Sequence, residues 1–209
     1  ILARTLKARE RIAERLFRTP LLRSKRLEQD LQCGRVLLKL ECLQVTGSFK
    51  VRGAMNAVMI AAEHDKSIVF STASAGNHGL GLAYSADRCD LREPAIIYMP
   101  RRTPLTKRKA IERYTHSIKL VGDTFEETKQ IALEESKQKG YTFIHPYNDV
   151  NVIAGQGTLG LDIIDDINEQ WKGEAPDIVI VPVGGGGLIA GVATAIKSAW
   201  PRTRLVGAE

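Results

Sequence analysis

Lys50 and two loops hold the residue types in this chain that could do chemistry. Thr46-Gly47-Ser48-Phe49-Lys50-Val51-Arg52-Gly53-Ala54 sets one lysine where a turn rich in glycine and serine passes into a helix. Apolar residues at Val51, Ala54, Met55, Val58, Met59 and Ala62 predict a helix with one apolar stripe. Ser48 is placed to cap that helix, which puts Lys50 in its first turn, near the positive end of the dipole. A lysine that is also desolvated there has its ammonium form disfavoured. The neutral amine can form an imine with an aldehyde. The competing reading is a solvated lysine at a helix start.

The second feature is Gly184-Gly185-Gly186-Gly187, between an apolar strand and a helix. Its amides can converge on an anion, and the helix N-terminus adds partial positive charge. No Lys or Arg stands in the loop, so the backbone would do the holding. A rival reading is open: Gly185-x-Gly187-x-x-Ala190 fits a dinucleotide fingerprint, with Glu209 near the place of a ribose-binding acid. The third feature is Thr72-Ala73-Ser74-Ala75-Gly76-Asn77-His78-Gly79, which offers amides and a hydroxyl suited to a carboxylate. Asn77 could donate to a phenolate oxygen. His78 alone reads first as a structural histidine. His64, His116 and His145 lack metal-ligand spacing and read as structural or exposed.

The elements that must position these residues alternate strand and helix. The pattern predicts helices at 4–18, from Lys50, from 78 to 86, 105–114, 124–139, within 153–170 and 188–199. Strands are expected at 36–38, 68–70, 95–99, 117–121, 142–144, 177–183 and 204–208. The basic 4–18 helix would set Leu6, Ile12, Ala13 and Leu16 on its apolar side. The strands are continuous apolar runs, as when both faces are covered. The fold class is therefore α/β, with open, mainly parallel twisted sheets covered by helices. Polar loops suggest divisions near 66 and 150. Residues 1–66 and 151–209 would form a larger domain and 67–150 a smaller inserted one. If the outer parts share a sheet, a cleft lies between the lobes.

Composition sets the remaining bounds. The chain has 209 residues, and its 30 Lys and Arg exceed its 24 Asp and Glu by 6. The surplus lies before residue 27 and from Arg101 to Lys109, without the interleaved aromatics of a stacking platform, so no nucleic-acid partner is expected. No apolar run reaches membrane-spanning length and no signal-peptide core is present, so a cytoplasmic protein without a membrane partner is expected. Cys33, Cys42 and Cys89 are odd in number and far apart, which predicts buried thiols rather than disulfides or a zinc site. The chain opens on Ile1 and stops at Glu209 as a strand ends. It reads as a piece of something longer.

Taken together, the segments resemble the fold-type II pyridoxal-phosphate enzymes, and most of all the threonine and serine dehydratases. Lys39 to Ala54, with Thr-Gly-Ser-Phe-Lys-Val-Arg-Gly-Ala at its end, is similar to their Schiff-base segment. Ser74-Ala75-Gly76-Asn77-His78-Gly79, Met99-Pro100, Val152-Ile153-Ala154-Gly155-Gln156-Gly157-Thr158 and Pro182 to Gly191 follow in the family's order. The resemblance covers nearly the whole chain. It implies a two-lobed architecture with an incomplete larger domain, pyridoxal 5'-phosphate as cofactor, a small amino-acid substrate and a homo-oligomer.

Residue by residue, the resemblance makes Lys50 the covalent attachment point and catalytic base, and sets Phe49 beside the cofactor ring. Asn77 would bond the ring hydroxyl, while Gly184, Gly185, Gly186, Gly187 and Leu188 would bind the phosphate. Ser74, Gly76, Asn77 and His78 would surround the substrate carboxylate. Glu209 would be a first ligand of a divalent cation, magnesium or calcium, as in related dehydratases and racemases. Three departures stand out: Cys42 in place of the usual asparagine, Thr115-His116 where Gly-Ala is common, and the missing partner of the pyridine nitrogen. The implied reaction is dehydration and deamination of L-threonine or L-serine to a 2-keto acid and ammonia. A racemase, a nucleotide-binding module and an inactive or regulatory fragment are the alternatives. In the serine racemases that the chain resembles, a second serine serves the opposite face of the α-carbon. Here that position is Ala75.

Overall fold

The structure, a computed structural model, describes residues 1–63, 65–89 and 91–209. The elements in order are α1 (Leu2–Ile12), β1 (Leu21–Arg23), α2 (Lys25–Asp30), β2 (Leu37–Lys39), a short 3-10 turn (Glu41–Leu43), α3 (Lys50–Ala62), β3 (Phe70–Ala73) and α4 (Asn77–Arg88). Next come β4 (Ile96–Met99), α5 (Leu105–Glu112), β5 (Ile118–Leu120), α6 (Phe125–Lys139) and β6 (Thr142–Phe143). The chain continues through α7 (Val150–Gln170), β7 (Ile178–Pro182), α8 (Gly187–Ala199) and β8 (Arg204–Ala208).

Four strands form a parallel sheet in the order β5-β4-β3-β6. Every residue of β3 and β4 is buried. Alternate side chains serve two cores: Ile97 and Met99 join Leu82 and Ile111 of α4 and α5, while Ile96 and Tyr98 join Ala132 of α6. A strand covered on both faces needs apolar residues at every position, which is why it reads as a continuous run. Local signals set the flanking helices. Thr124 caps α6 by accepting from the Glu127 amide, and Gly140 ends that helix in the left-handed region. Asp149 caps α7 through the amides of Asn151 and Val152.

The remaining strands pair as β1 with β2, antiparallel, and β7 with β8, parallel. The outer parts of the chain therefore share no sheet among the described residues. They meet instead through helices, with α1 and α3 packed on α7, and α7 on α8.

Several expectations change. The first helix stops at Ile12, and its buried side is Thr5, Ala8 and Ile12, while Leu6 is exposed. β1 and α2 are short, have little periodicity and were not foreseen. Ser48 does not cap α3: Phe49 takes the cap position in helical conformation, and the Ser48 hydroxyl is buried without a hydrogen-bond partner among the described residues. α3 has no single stripe either, because Val51 to Val58 are all buried, enclosed by α4, α7 and α1. Ile178 and Ile180 of β7 are 45% and 68% exposed, so that apolar strand is covered on one side only. Contrary to expectation, the thiols are not buried: Cys33 and Cys42 are exposed and Cys89 is half-buried. Cys33 and Cys42 sit in surface turns beside short elements, which give them nothing to pack under. His116 is exposed, as expected, and His64 lies outside the described residues.

Candidate active site

Lys50 is the first residue of α3, and its side chain is half-buried. Nζ donates to the Pro146 carbonyl at 3.2 Å and lies 5.5 Å from the centroid of the Phe49 ring. No carboxylate pairs with it among the described residues. Burial therefore lowers its pKa below the usual lysine value with nothing to oppose the shift. The result is a lysine whose neutral amine becomes available at lower pH than usual.

The residue after Pro146 leads to the glycine loop. Tyr147 lies so close to it that a Cβ on Gly185 would stand 2.2 Å from the ring, and one on Gly187 would stand 2.8 Å from the Tyr147 carbonyl. Gly186 adopts φ +81° as the cap of α8. Among the described residues, no amide from Gly184 to Ile189 donates a hydrogen bond. Such a set of free N–H groups at a helix start is suited to an anion. A concavity of about 260 Å³ opens there, lined by Tyr147, Asn148, Ile153, Gly185 to Gly187 and Ala190.

The other loop leaves β3 and enters α4. The Ser74 amide donates to Tyr98 O, and Ser74 Oγ accepts from the Gly76 amide at 3.3 Å. The amides of Asn77, His78 and Gly79 have no acceptor among the described residues. Asn77 is exposed at the helix start, where its amide group is available to a ligand. His78 is buried: Nε2 donates to Ile144 O at 3.1 Å, and Nδ1 has no partner among the described residues. Burial pulls its pKa down to about 4, although the Ile144 bond opposes the shift. The imidazole is neutral at pH 7 and turned inward, which leaves its main-chain N–H as the group that the loop presents.

A family model described as pyridoxal-phosphate dependent enzyme matches residues 12–209. This chain belongs to that family. A catabolic L-threonine dehydratase of Staphylococcus aureus (strain N315) is 45% identical over 192 residues, which cover 92% of this chain and 53% of the relative. A threonine deaminase from Solanum lycopersicum (isoform 2, processed form) superposes with a TM-score of 0.88 at 35% identity, covering 99% of this chain and 54% of that one. Maize serine racemase gives 0.88 at 32% identity, covering 100% and 60%. The chain thus spans about half the length of the curated relatives it matches. Its fold is that of the fold-type II members of the family.

The residues present fit pyridoxal phosphate. An uncompensated amine stands ready for its aldehyde, unbonded amides for its phosphate, and a second set of amides for an anionic partner. Glu209 is exposed after β8, and no group of three or more His, Cys, Asp or Glu that could hold a metal occurs among the described residues.

Sequence reasoning missed Tyr147, which shapes the glycine loop, and the Pro146 carbonyl that receives Lys50. His145, read as structural or exposed, is structural: its Nδ1 accepts from the Tyr147 and Asn148 amides and its ring meets Tyr147 edge-on at 4.6 Å. Only folding brings this strap to Lys50.

Proposed function

We propose that the protein to which this chain belongs eliminates water from L-threonine or L-serine, and that water then hydrolyses the released enamine to a 2-keto acid and ammonia. The observation that carries the reading is Lys50: a desolvated amine with no acid partner among the described residues, bonded to Pro146, whose neighbour Tyr147 packs on a loop of unbonded amides. When bound, pyridoxal phosphate supplies an aldehyde for that amine and an electron sink for deprotonation at the substrate α-carbon.

The chain's own groups do the rest. The amides of Gly184 to Leu188 would hold the phosphate, and Phe49 would stand beside the ring. The amides at the start of α4, with Ser74 and Asn77, hold the substrate carboxylate and orient the α-carbon. Lys50 Nζ would take the α-proton; its lowered pKa increases the neutral fraction available for this role. Departure of the β-hydroxyl then needs no acid on the opposite face. Ala75 occupies the place where a racemase needs one, and a methyl group neither gives nor accepts a proton.

Residues 67–150 are proposed as the smaller domain, since all four strands of the β5-β4-β3-β6 sheet fall within them. A homo-oligomeric, cytoplasmic enzyme belongs to the same proposal. No helix among the described residues is long and apolar enough to cross a membrane.

Two measurements test the reading on full-length protein. Borohydride should trap the cofactor covalently on wild type and not on Lys50→Ala; equal trapping removes Lys50 from the role. Chiral chromatography after partial turnover of L-serine should show keto acid with little D-serine. D-serine accumulating as fast as keto acid would make the enzyme a racemase.

A further inference from the structure

Arg52 follows Lys50 by two residues and is 3% exposed, yet nothing in the proposed chemistry uses it. Its guanidinium binds two separate parts of the chain. Nε and Nη2 donate to the two Glu41 carboxylate oxygens, both at 2.8 Å. Nη2 also meets Asp162 Oδ2 at 2.8 Å, and Nη1 donates to Thr158 Oγ1 at 3.1 Å. Burial alone would lower the Arg52 pKa, but the Glu41 bonds and the Asp162 charge raise it, so the cation persists. Thr158, Asp162 and Asp166 recur every fourth residue along α7, which places them on one face. Asp166 holds Lys39 and Arg18, each at 2.7 Å.

The same helix locates the glycine loop. α3 crosses α7 where a Cβ on Gly155 would stand 2.7 Å from Gly53 Cα. α8 crosses α7 where a Cβ on Gly191 would stand 2.6 Å from the Gly157 amide nitrogen. Glycine crossings set how closely helix axes approach, but smooth surfaces leave sliding and rotation free. A planar, forked cation bonded to acceptors on two elements removes that freedom, and an ammonium lacks the fork.

We propose that Arg52 is a positioning residue: by locking the first turns of α3 onto α7, it sets the Lys50 amine relative to the glycine-loop amides. The inference rests on the reading of Lys50 as the amine that captures the cofactor aldehyde.

The test uses full-length wild type, Arg52→Lys and Thr158→Val with two probes. Pyridoxal 5'-phosphate, trapped with borohydride, reports the rate of covalent capture and its pH profile. Pyridoxine 5'-phosphate, which has ring and phosphate but an alcohol in place of the aldehyde, reports the cradle alone. Misplacing a reacting group without unbinding its partner slows the reaction selectively, so capture should fall about tenfold in Arg52→Lys and about threefold in Thr158→Val. Pyridoxine phosphate affinity should stay within about twofold and the capture pH profile should keep its midpoint. Unchanged capture, or capture and affinity falling by the same factor, overturns the proposal. Should Arg52→Lys fail to fold, Thr158→Val decides alone by the same criteria, because it removes the bond from Arg52 and the hydroxyl's own bond to Gly155 O inside α7 without stranding a charge. Failure of wild type itself to capture the aldehyde would instead strike the reading of Lys50, and this inference with it.

Discussion

The two loops that enter α4 and α8 do similar work by different means. Both follow a parallel strand, and both leave amides at a helix start without an acceptor among the described residues. The loop at 184–187 has no side chains, and Tyr147 fills the space beside Gly185 that a side chain would need. The loop at 74–76 is tied by its own serine, and Gly76 has open space around it and an extended backbone that any residue adopts. Glycine is thus compelled in one loop by a neighbour from another element. In the other it is merely permitted.

The largest effect that would break this contrast is at Gly185. Gly185→Ala should cost about 3 kcal/mol or displace the Tyr147 ring, because the ring's attached end cannot swing aside. Affinity for pyridoxal phosphate should fall by more than about tenfold, since the amides move with it. Adding Tyr147→Ala should restore much of that affinity in the double variant, measured by equilibrium titration. No recovery would mean that Gly185 is required for its own backbone.

A second difference lies beneath the α4 loop. His78 is neutral in the fold, with a pKa near 4 against 6.5 for an ordinary histidine. The unfolded chain therefore binds this proton at higher pH than the folded chain does. The stability concerned is complete above pH 6.5 and lost as pH falls toward 4, a loss of about 3 kcal/mol. His78→Gln, whose amide can still donate to Ile144 O, should flatten that acid limb in urea titrations run from pH 7 to pH 4. An unchanged slope would place the titration elsewhere.

The smallest effect is expected at Gly76. Gly76→Ala should change stability by less than about 0.5 kcal/mol, since it meets no neighbour and strains no dihedral. A loss in melting temperature as large as that of Gly185→Ala would erase the contrast between the loops.

Much of this was legible in the residues. Strand and helix alternation, the position of Lys50 at a helix start and the two amide loops all follow from local periodicity and from turn chemistry, which act within a few residues. The family motifs added the cofactor. Single elements failed where local rules were overruled: Ser48 lost its cap because the helix begins after Phe49, and α3 lost its stripe because three helices enclose it. One sign of the Arg52 knot did stand in the sequence, a lone cation inside an eight-residue buried run, with Asp162 and Asp166 inside an equally apolar α7. Its partners could not be named from that sign.

By itself the sequence determined which groups could act: an amine, two loops offering amides, and a methyl group at Ala75. Tertiary structure decided which of them meet. Pro146 lies 96 residues from Lys50, Thr158 lies 106 from Arg52, and Tyr147 is separated from Gly185 by the whole of α7 and β7. Desolvation of Lys50, the neutrality of His78 and the fork of Arg52 all depend on those distant neighbours. A charge's environment is set by what surrounds it in space, and only the packed fold specifies that.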